Sequence, residues 1–493
     1  MNVATFPMLS LILFFPFVGV LAIAVINSVE IAKKIALMTA IIELIATLIV
    51  TFSFDAEVAG FSQVERYRWI PNLNAEFLLG VDGISVLFLP ASALLTLITI
   101  LASWNNVNHL SRLHFALLLI LESVTLGVFT ALDMLLFFLF WEATLPPIFF
   151  LIGLWGIGAQ RREAALKYTL FMLFGGVPLL FAIIVLATNH ATQTGELSFS
   201  FLQLLQTPMA DNLQLIVFLL LVLGFAVKAP LAPFHTWLPT VAMQAPTQIS
   251  ALLMGLKLGA FGLLRFAFPL APHAAAHHAW IVALLGAVTL VYAALIALKQ
   301  TNLRELLAYL SISHVGLVVL GIASLNEQSL QGVIFQLLNF SLIASGLMLL
   351  AGFMQQRFGS TELIHLGGLA KVMPKMTAFF FLFSLASIGM PLTSGFPAEI
   401  LLIIGVMKNH LGLGIAALCG AILGAAALLT FIRGSFLGAI IYENLKQTSD
   451  LRPREWLVLG VPILLVIIFG LFPQIILDTT KHAAQFWLSR LIF

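Results

Sequence analysis

The sequence predicts an all-α polytopic membrane protein of about fourteen transmembrane helices, and two observations carry this prediction. Of its 493 residues 61% are hydrophobic and 9% charged, which no class of soluble globular domain matches. In addition, prolines interrupt two apolar runs, Leu221 to Pro239 and Leu385 to Gly405, and each run holds a lone ionisable residue, Lys228 and Glu399. Paired interrupted helices at matching places are typical of membrane proteins built from two inverted repeats.

The individual spans follow from the length of each apolar run, because a helix needs about 20 apolar residues to cross a bilayer. Runs of that size lie near 7–27, 35–54, 84–103, 113–131, 134–156, 168–188, 213–239, 247–270, 279–298, 304–325, 328–354, 376–405, 411–438 and 457–476. Spans 4–8 and 9–13 are expected to form the two inverted repeats, with helices 7 and 12 broken. The segment 480–493 is too short to cross and looks amphipathic, so we expect it to lie along the interface.

This division predicts four parts and no extramembrane domain. The longest stretches outside the spans, near 55–83, 189–212 and 439–456, are too short to fold separately. The expected parts are three N-terminal helices, a first repeat with an entrance half-channel, a second repeat with an exit half-channel, and a last helix with the amphipathic segment: 1–112, 113–270, 271–438 and 439–493.

Basic residues are distributed unevenly between the two sides. Loops after odd-numbered spans carry fifteen Lys and Arg residues, loops after even-numbered spans carry six, and Lys228 and Lys257 lie inside the membrane, which accounts for all 23. By the positive-inside rule the odd loops are cytoplasmic, and both termini are expected on the other side.

Several function classes are excluded by what the sequence lacks. A single cysteine, Cys419, excludes a disulfide framework and a cysteine-ligated iron–sulfur cluster. There is no Walker loop and no GxGxxG motif, so the chain is not expected to handle nucleotides, and nothing indicates nucleic acid. Transport energy must then come from a gradient or from a partner.

Ionisable residues recur inside the predicted spans. A Lys, Arg or Asp at a helix centre costs about 2.5–3.5 kcal/mol on insertion scales, so such residues usually face the bundle interior and serve a function. The candidates for proton transfer are Glu142, Lys228, Lys257, His314 and Glu399, with Glu122, His235, Arg304 and Ser311 as further candidates.

Glu142 and Lys228 are predicted to form a switchable pair. Burial favours the neutral forms of both groups and a neighbouring opposite charge favours the charged forms, so weakening the pair would release the proton of Lys228 towards Lys257. A static pair that holds two helices together remains the alternative. His235 and His314 could likewise only bind carbonyl oxygens across the bundle.

At these residues the chain resembles a known family. The stretch LFFLFWEATLPPIFFLIGLWG (136–156), FAVKAPLAPFHTWLP (225–239), MGLKLGAFGLLRF (254–266), ELLAYLSISHVG (305–316) and MPLTSGFPAEILL (390–402) are similar to segments of the subunit M (chain 4) family. Members of that family are antiporter-like subunits of proton-pumping NADH:quinone oxidoreductase, respiratory complex I. The resemblance assigns proton transfer to Glu142, Lys228, Lys257, His314 and Glu399.

The resemblance also implies a setting. It implies a proton-translocating subunit of the membrane arm, driven by redox chemistry in partner subunits and without a redox centre of its own. Flavin, iron–sulfur clusters and quinone are expected in those partners, which include two related antiporter-like subunits. The expected location is the bacterial inner membrane, with both termini periplasmic.

The chain departs from the family at several positions, which indicates a divergent member. Thr240 and Ala242 replace an acid and a histidine, and Phe340 stands where a relay histidine is usual. Asn302 and Glu305 replace an Asp and an Arg at the start of the tenth helix. Because a phenyl ring cannot carry a proton, we predict a path that bypasses it, from Lys257 past His314 and Ser311 to Glu399, with Asn339 only a hydrogen-bonding neighbour.

Three alternatives remain open. The same module could serve an Mrp-type cation/proton antiporter, a membrane-bound hydrogenase or an inorganic-carbon uptake complex. A stand-alone carrier for a small organic ion is disfavoured, because the charges form a row and do not converge on one pocket. A purely structural scaffold would not keep so many charges in lipid.

Overall fold

The computed structural model describes residues 6–58, 60–440 and 448–491. This part of the chain is almost entirely helical, and twelve of its helices are long and apolar enough to cross a membrane. The shorter helix Phe88–Ser103 and the broken run from Pro374 to Asn409 occupy the places of the third and twelfth predicted spans. The polytopic helical class is confirmed, whereas the count of fourteen spans and the four-part division stay predictions.

Three helices and a hairpin precede the first repeat, which begins with a fourth helix. The helices are α1 (Met8–Val25), α2 (Val29–Phe52), α3 (Phe88–Ser103) and α4 (Ser111–Thr130). Between α2 and α3 the strands β1 (Ser62–Ile70) and β2 (Ala75–Val81) pair antiparallel. The all-α prediction missed this hairpin, which occupies the stretch expected to be a loop. Its strands are held by the side chains of Arg66 and Glu76, whose Nε and Oε2 atoms lie 2.8 Å apart.

The first repeat continues with short and long helices. These are α5 (Met134–Ala143), α6 (Leu145–Trp155), α7 (Arg161–Thr194), α8 (Phe201–Leu204), α9 (Asp211–Lys228), α10 (Trp237–Gln244), α11 (Thr247–Gly255), α12 (Leu258–Gly262) and α13 (Phe268–Leu270). Asp133 caps α5, because its carboxylate accepts from the backbone N–H groups of Leu135 and Leu136, at 3.0 Å each.

The remaining helices complete the second repeat and the C-terminal part. They are α14 (Pro272–Ala297), α15 (Leu303–Ala323), α16 (Glu327–Asn339), α17 (Ser345–Phe358), α18 (Leu369–Val372), α19 (Pro374–Ser387), α20 (Gly395–Asn409), α21 (Leu411–Ser435), α22 (Pro453–Leu471) and α23 (Gln474–Ser489). Asn302 caps α15 by accepting the N–H of Arg304 at 2.9 Å.

The seventh span is broken as predicted. Helix α9 ends at Lys228, a proline-containing turn follows, and after a short 3₁₀ turn the chain resumes as α10. Pro230 and Pro233 cannot donate to the helix ladder, so the turn leaves carbonyl groups without helical partners. The indole N–H of Trp237 donates to one of these, the carbonyl of Val227, at 3.0 Å. The break is therefore stabilised by protein groups, as a membrane interior requires.

The twelfth span is broken in the same manner. Helix α19 ends at Ser387 and α20 begins at Gly395, with Pro391 between them. Gly389 adopts a φ of 69°, a conformation that glycine reaches without strain. The backbone N–H of Ser394 donates to the carbonyl of Val466 in α22 at 2.9 Å. Both breaks thus lie beside the ionisable residue that the sequence placed in each run.

Two further irregularities were not predicted. Residues 263–267 and 340–344 form π-helical turns, and the eighth span is also interrupted at Leu256 and Lys257, between α11 and α12. Such turns occur often at functional sites. The hydroxyl of Ser341, in the second π turn, donates to the carbonyl of Gly255 at 3.1 Å. The π turn of the eleventh span therefore abuts the break that carries Lys257.

The C-terminal segment is helical from Gln474, which is earlier than the predicted start at 480. One face of α23 packs against α16. Its Trp487 side chain is buried and donates its indole N–H to the carbonyl of Leu264, in the first π turn, at 2.6 Å. This helix therefore supports the irregular backbone of the eighth span.

Candidate proton-transfer site

Lys228 ends the first half of the broken seventh span and points at α5. Its ammonium donates to the carbonyl of Trp141 at 3.0 Å and to the hydroxyl of Thr144 at 2.9 Å. It also lies 3.9 Å from the centroid of the Trp141 ring, within cation–π range. Lys228 is therefore bound by Trp141, which lies in α5 just before Glu142, and by Thr144, which lies at the junction of α5 and α6 just after it.

Glu142 and Lys228 interact by charge, as predicted, but without a direct salt bridge. Among the described residues no ion pair joins the two side chains, and the Glu142 Oε1 atom is buried without a hydrogen-bond partner. Its carboxylate lies against Gly176 of α7, where an added Cβ would be 2.3 Å from Oε1. The physical reason is local: the lysine is already bound by Trp141 and Thr144, so the carboxylate turns towards the space that glycine leaves.

A small cavity adjoins Lys228. It has a volume of about 30 Å³. Residues of α4, α6, α7, α10, α11 and α12 line it together with Lys228. Two of the lining residues, Leu256 and Leu258, are the sequence neighbours of Lys257. A cavity of this size accommodates a water molecule. Gly259 packs directly against the backbone at Lys228 and Ala229. The breaks of the seventh and eighth spans are therefore in contact, and the cavity beside Lys228 reaches the two neighbours of Lys257.

Lys257 connects the first repeat to the second. Its ammonium donates to the hydroxyl of Ser311 in α15 at 2.7 Å and lies 5.0 Å from the centroid of the Phe340 ring. Phe340 is buried, and its ring centroid is 6.3 Å from that of His314. The phenyl ring thus lies near both Lys257 and His314, whereas Ser311 lies one helical turn from His314 on the same helix.

His314 and Glu399 meet across α15 and α20. The Nε2 atom of the histidine lies 3.7 Å from the Oε1 atom of the carboxylate. Glu399 is buried, and it lies against Gly389 in the break of the twelfth span, where an added Cβ would be 2.5 Å from Oε2. The glutamate therefore faces the bundle interior and the broken helix, which is where an exit group is expected.

Asn339 is a neighbour of this end of the row. Its side-chain amide donates to the carbonyl of Ser394 at 3.0 Å and to the side-chain oxygen of Gln336 at 3.2 Å. These contacts tie α16 to the break that precedes α20. Asn339 therefore stabilises the backbone beside Glu399, and within the described residues its side chain forms no hydrogen bond with a member of the row.

The structure brings together six sequence-predicted residues and places three elsewhere. Glu142, Lys228, Lys257, Ser311, His314 and Glu399 follow one another through the bundle. His235 packs against Tyr292, with ring centroids 5.3 Å apart. Arg304 donates to the carbonyl of Ala245 at 2.6 Å at the start of α15, and Glu122 faces α2.

Sequence reasoning missed Trp141 and Thr144, which bind Lys228. Both lie in the FWEATLPP segment, where Thr144 is followed by Leu145 and then by Pro146 and Pro147. Proline removes backbone donors, so a helix junction at this position was detectable from the sequence. That the lysine would bind the residues beside Glu142 depends on the packing of α9 against α5, which the sequence does not reveal.

The arrangement is suited to moving protons and offers little for other chemistry. Carboxylates, amines, a hydroxyl and an imidazole alternate along it, and each can accept or donate a proton when neighbours or a water come within about 2.6–3.2 Å. In the described ranges no group of three His, Cys, Asp or Glu residues could hold a metal ion.

The chain is similar in sequence to members of one known protein family. The family model described as "NADH:quinone oxidoreductase/Mrp antiporter, TM" matches residues 131–424. NADH-quinone oxidoreductase subunit M of Rickettsia prowazekii is 37% identical over 483 residues, covering 96% of this chain and 96% of the relative. NADH-ubiquinone oxidoreductase chain 4 of Arabidopsis thaliana is 33% identical over 455 residues, covering 92% and 90%.

Solved structures are similar as well. A chain of respiratory complex I from Thermus thermophilus with bound NADH superposes with a TM-score of 0.89 at 28% identity, covering 98% of this chain and 100% of that one. A chain of the Mrp complex from Dietzia sp. gives a TM-score of 0.83 at 22% identity, which shows a shared fold alone.

Proposed function

The chain belongs to the NADH:quinone oxidoreductase/Mrp antiporter membrane family and, within it, to the subunit M group; we propose that it translocates protons in the membrane arm of an NADH:quinone oxidoreductase. The observation that carries this proposal is the row of buried protonatable side chains from Glu142 to Glu399 beside two broken helices. A row of protonatable groups, each in contact with the next or with a small cavity, is what proton transfer across a dry bundle needs.

In the proposed mechanism the two repeats contribute one half of the row each. Lys228, bound by Thr144, exchanges a proton through the adjoining cavity with Lys257. Lys257 passes it through the hydroxyl of Ser311 to His314, and His314 passes it to Glu399. Glu142 biases Lys228 by its charge from a short distance, since the pair need not touch for the charged lysine to be favoured.

Partner subunits complete the proposed machine. With one cysteine and no nucleotide motif, this chain offers no ligands for flavin or iron–sulfur clusters, so we assign these groups, and quinone reduction, to partners. The partners include two related antiporter-like subunits. The proposed location is the bacterial inner membrane, with both termini periplasmic, because the basic residues concentrate in the odd loops.

The nearest alternative is the same module in another machine, an Mrp-type antiporter, a membrane-bound hydrogenase or an inorganic-carbon uptake complex. The shared fold with the Mrp complex is compatible with it. Sequence identity favours subunit M, since relatives of that name match at 37% over almost their whole length.

Purification from the native membrane tests the proposal. Affinity-tagged chain, extracted in mild detergent, should copurify with flavin- and iron–sulfur-containing subunits and with NADH:quinone reductase activity. Copurification with only cation-antiporter subunits would establish the Mrp alternative, and a chain that runs alone and transports an organic ion would establish a carrier.

A further inference from the structure

Two buried carboxylates lie outside the row, between the second and fourth helices. Glu43 of α2 is 0% exposed and Glu122 of α4 is 1% exposed. None of their four carboxyl oxygens has a hydrogen-bond partner in the described part of the chain. The two groups act on each other electrostatically where α2 packs against α4. They therefore form a facing pair.

No cation within the described ranges compensates this pair. Helices α1 and α3, which pack around it, contain no titratable residue. Lys33 and Arg112 are each ten residues from the nearer glutamate, which is about 15 Å along a helix. His114 lies two turns from Glu122, packed against Trp155 with ring centroids 4.9 Å apart. Of the other elements packed against α4, α6 has no titratable residue, and α5 and β2 carry only the acidic Glu142 and Glu76, so none of them supplies a cation.

These surroundings decide the protonation of the pair. A buried carboxylate without a partner is strongly unfavourable in its ionised form, because nothing replaces its hydration. Two facing carboxylates also disfavour each other's ionisation. At least one proton must therefore reside on the pair, and at rest the neutral form of both groups is the favoured one.

A route connects this pair with the row. Thr125 lies one helical turn beyond Glu122 on α4, and it lines the same cavity as Lys228 and Thr144. Its hydroxyl donates to the carbonyl of Leu121 at 2.7 Å, so its oxygen stays available as an acceptor towards the cavity. Thr125 and this cavity of about 30 Å³ therefore offer a route from the Glu122 side of α4 to Lys228.

We propose that Glu43 and Glu122 form a second protonatable site, which lends a proton to the row at Lys228 and recovers it. In the forward step the O–H bond of one carboxyl breaks, the proton passes through the Thr125 hydroxyl and the cavity, and a new N–H bond forms on the neutral lysine amine. The pair is left with one negative charge and Lys228 with one positive charge, so the charges remain balanced. The exchange with Lys228 rests on the proposed proton translocation, whereas the protonated pair does not.

Infrared spectroscopy of the intact purified complex tests the pair itself. We expect carbonyl absorption of protonated carboxylic acid that shifts in D₂O, that loses one component in Glu43→Gln and the other in Glu122→Gln, and that is lost in the double variant. Glutamine matches the shape of the neutral acid, so the complex should remain assembled. Glu57→Gln is the matched control, because Glu57 is exposed and should leave the band unchanged. A band that neither variant affects would overturn the proposal.

Turnover then tests the exchange. During NADH oxidation the band assigned to the pair should change in the wild type, and in Thr125→Val it should persist without changing. A band that stays constant in the turning-over wild type would overturn the exchange. Because the resting band does not depend on pumping, a complex that pumps but lacks the band refutes this site alone, whereas one with the band that does not pump refutes the proposed function.

Discussion

At the scale of single residues, Glu399 is held between a histidine and a broken helix. Its carboxylate lies 3.7 Å from His314 and against Gly389, and it faces the interior of the bundle. We predict that Glu399→Gln loses proton pumping by about 10²-fold or more, the usual size of a lost proton donor or acceptor. Glu399→Asp should keep part of the rate, because the shorter side chain still titrates.

Proton uptake by the reconstituted complex measures both variants, with assembly checked by native electrophoresis. Glu57→Gln is again the control for removing one carboxylate. Equal pumping by Glu399→Gln and the wild type would show that protons leave by another route.

Phe340 tests the path between Lys257 and His314. Its ring lies 5.0 Å from the Lys257 ammonium, while the lysine already donates to Ser311 at 2.7 Å. If protons pass through Ser311, Phe340→His should leave the pumping rate nearly unchanged, within about twofold. The bypass also predicts that Ser311→Ala slows pumping.

The same reconstituted assay decides the matter. A large gain in Phe340→His would contradict the bypass and show that the native exit path is impaired at this ring.

The row itself was largely predictable from single residues, because lone ionisable side chains in apolar runs are rare and conspicuous. Lys228, Lys257, His314 and Glu399 were identified in this way and lie as a sequence of neighbours. Glu142 and Lys228 interact by charge but not through a direct salt bridge, because the carbonyl of Trp141 and the hydroxyl of Thr144 bind the lysine. Such competition depends on atomic positions that composition does not encode.

At the scale of elements, the breaks of the seventh and eighth spans are locked together. Gly259 leaves no room for a side chain: an added Cβ would be 2.2 Å from the backbone nitrogen of Ala229. In Gly259→Ala the new methyl group must displace the backbone at Lys228 and Ala229, so we predict a loss of about 1–3 kcal/mol in stability. We also expect slower pumping, because Lys228 is displaced. Thermal unfolding of the purified complex measures the first effect.

Gly412→Ala is the matched control. This glycine lies in a helix with open space around it, so alanine should be neutral or slightly stabilising. Equal unfolding temperatures for Gly259→Ala and Gly412→Ala would mean that the close contact at Ala229 does not constrain the fold.

Some interruptions of the helices could be predicted from the sequence and others could not. The breaks at Pro230 and Pro391 were predicted, because proline removes a helix donor. The break at Lys257 and the π turns at 263–267 and 340–344 contain no proline and were not predicted. They are held by tertiary contacts, such as Trp487 to Leu264 and Ser341 to Gly255, which local sequence does not determine.

At the scale of the whole molecule, the class of fold followed from apolar run length, and the hairpin between α2 and α3 did not. Its strands are Ser62–Ile70 and Ala75–Val81, and both carry charged residues. The first strand also lacks a regular alternation of apolar and polar residues. The hairpin forms because α1, α4 and α5 contact it, and that support is visible only once the helices are assembled.

The central claim is that the row from Glu142 to Glu399 translocates protons for an NADH-oxidising complex. The most direct test is the number of protons moved per NADH oxidised by the purified complex in sealed vesicles, compared among wild type, Glu142→Gln and Lys228→Ala. Glu57→Gln and Lys299→Ala are the matched controls, since both side chains are exposed. Each site variant should assemble, because one neutralised side chain does not unfold the bundle.

We predict that Glu142→Gln and Lys228→Ala lose proton translocation and the coupled quinone reduction by about 10²-fold or more, while both controls match the wild type. Normal proton translocation by fully assembled Glu142→Gln complex would contradict the account.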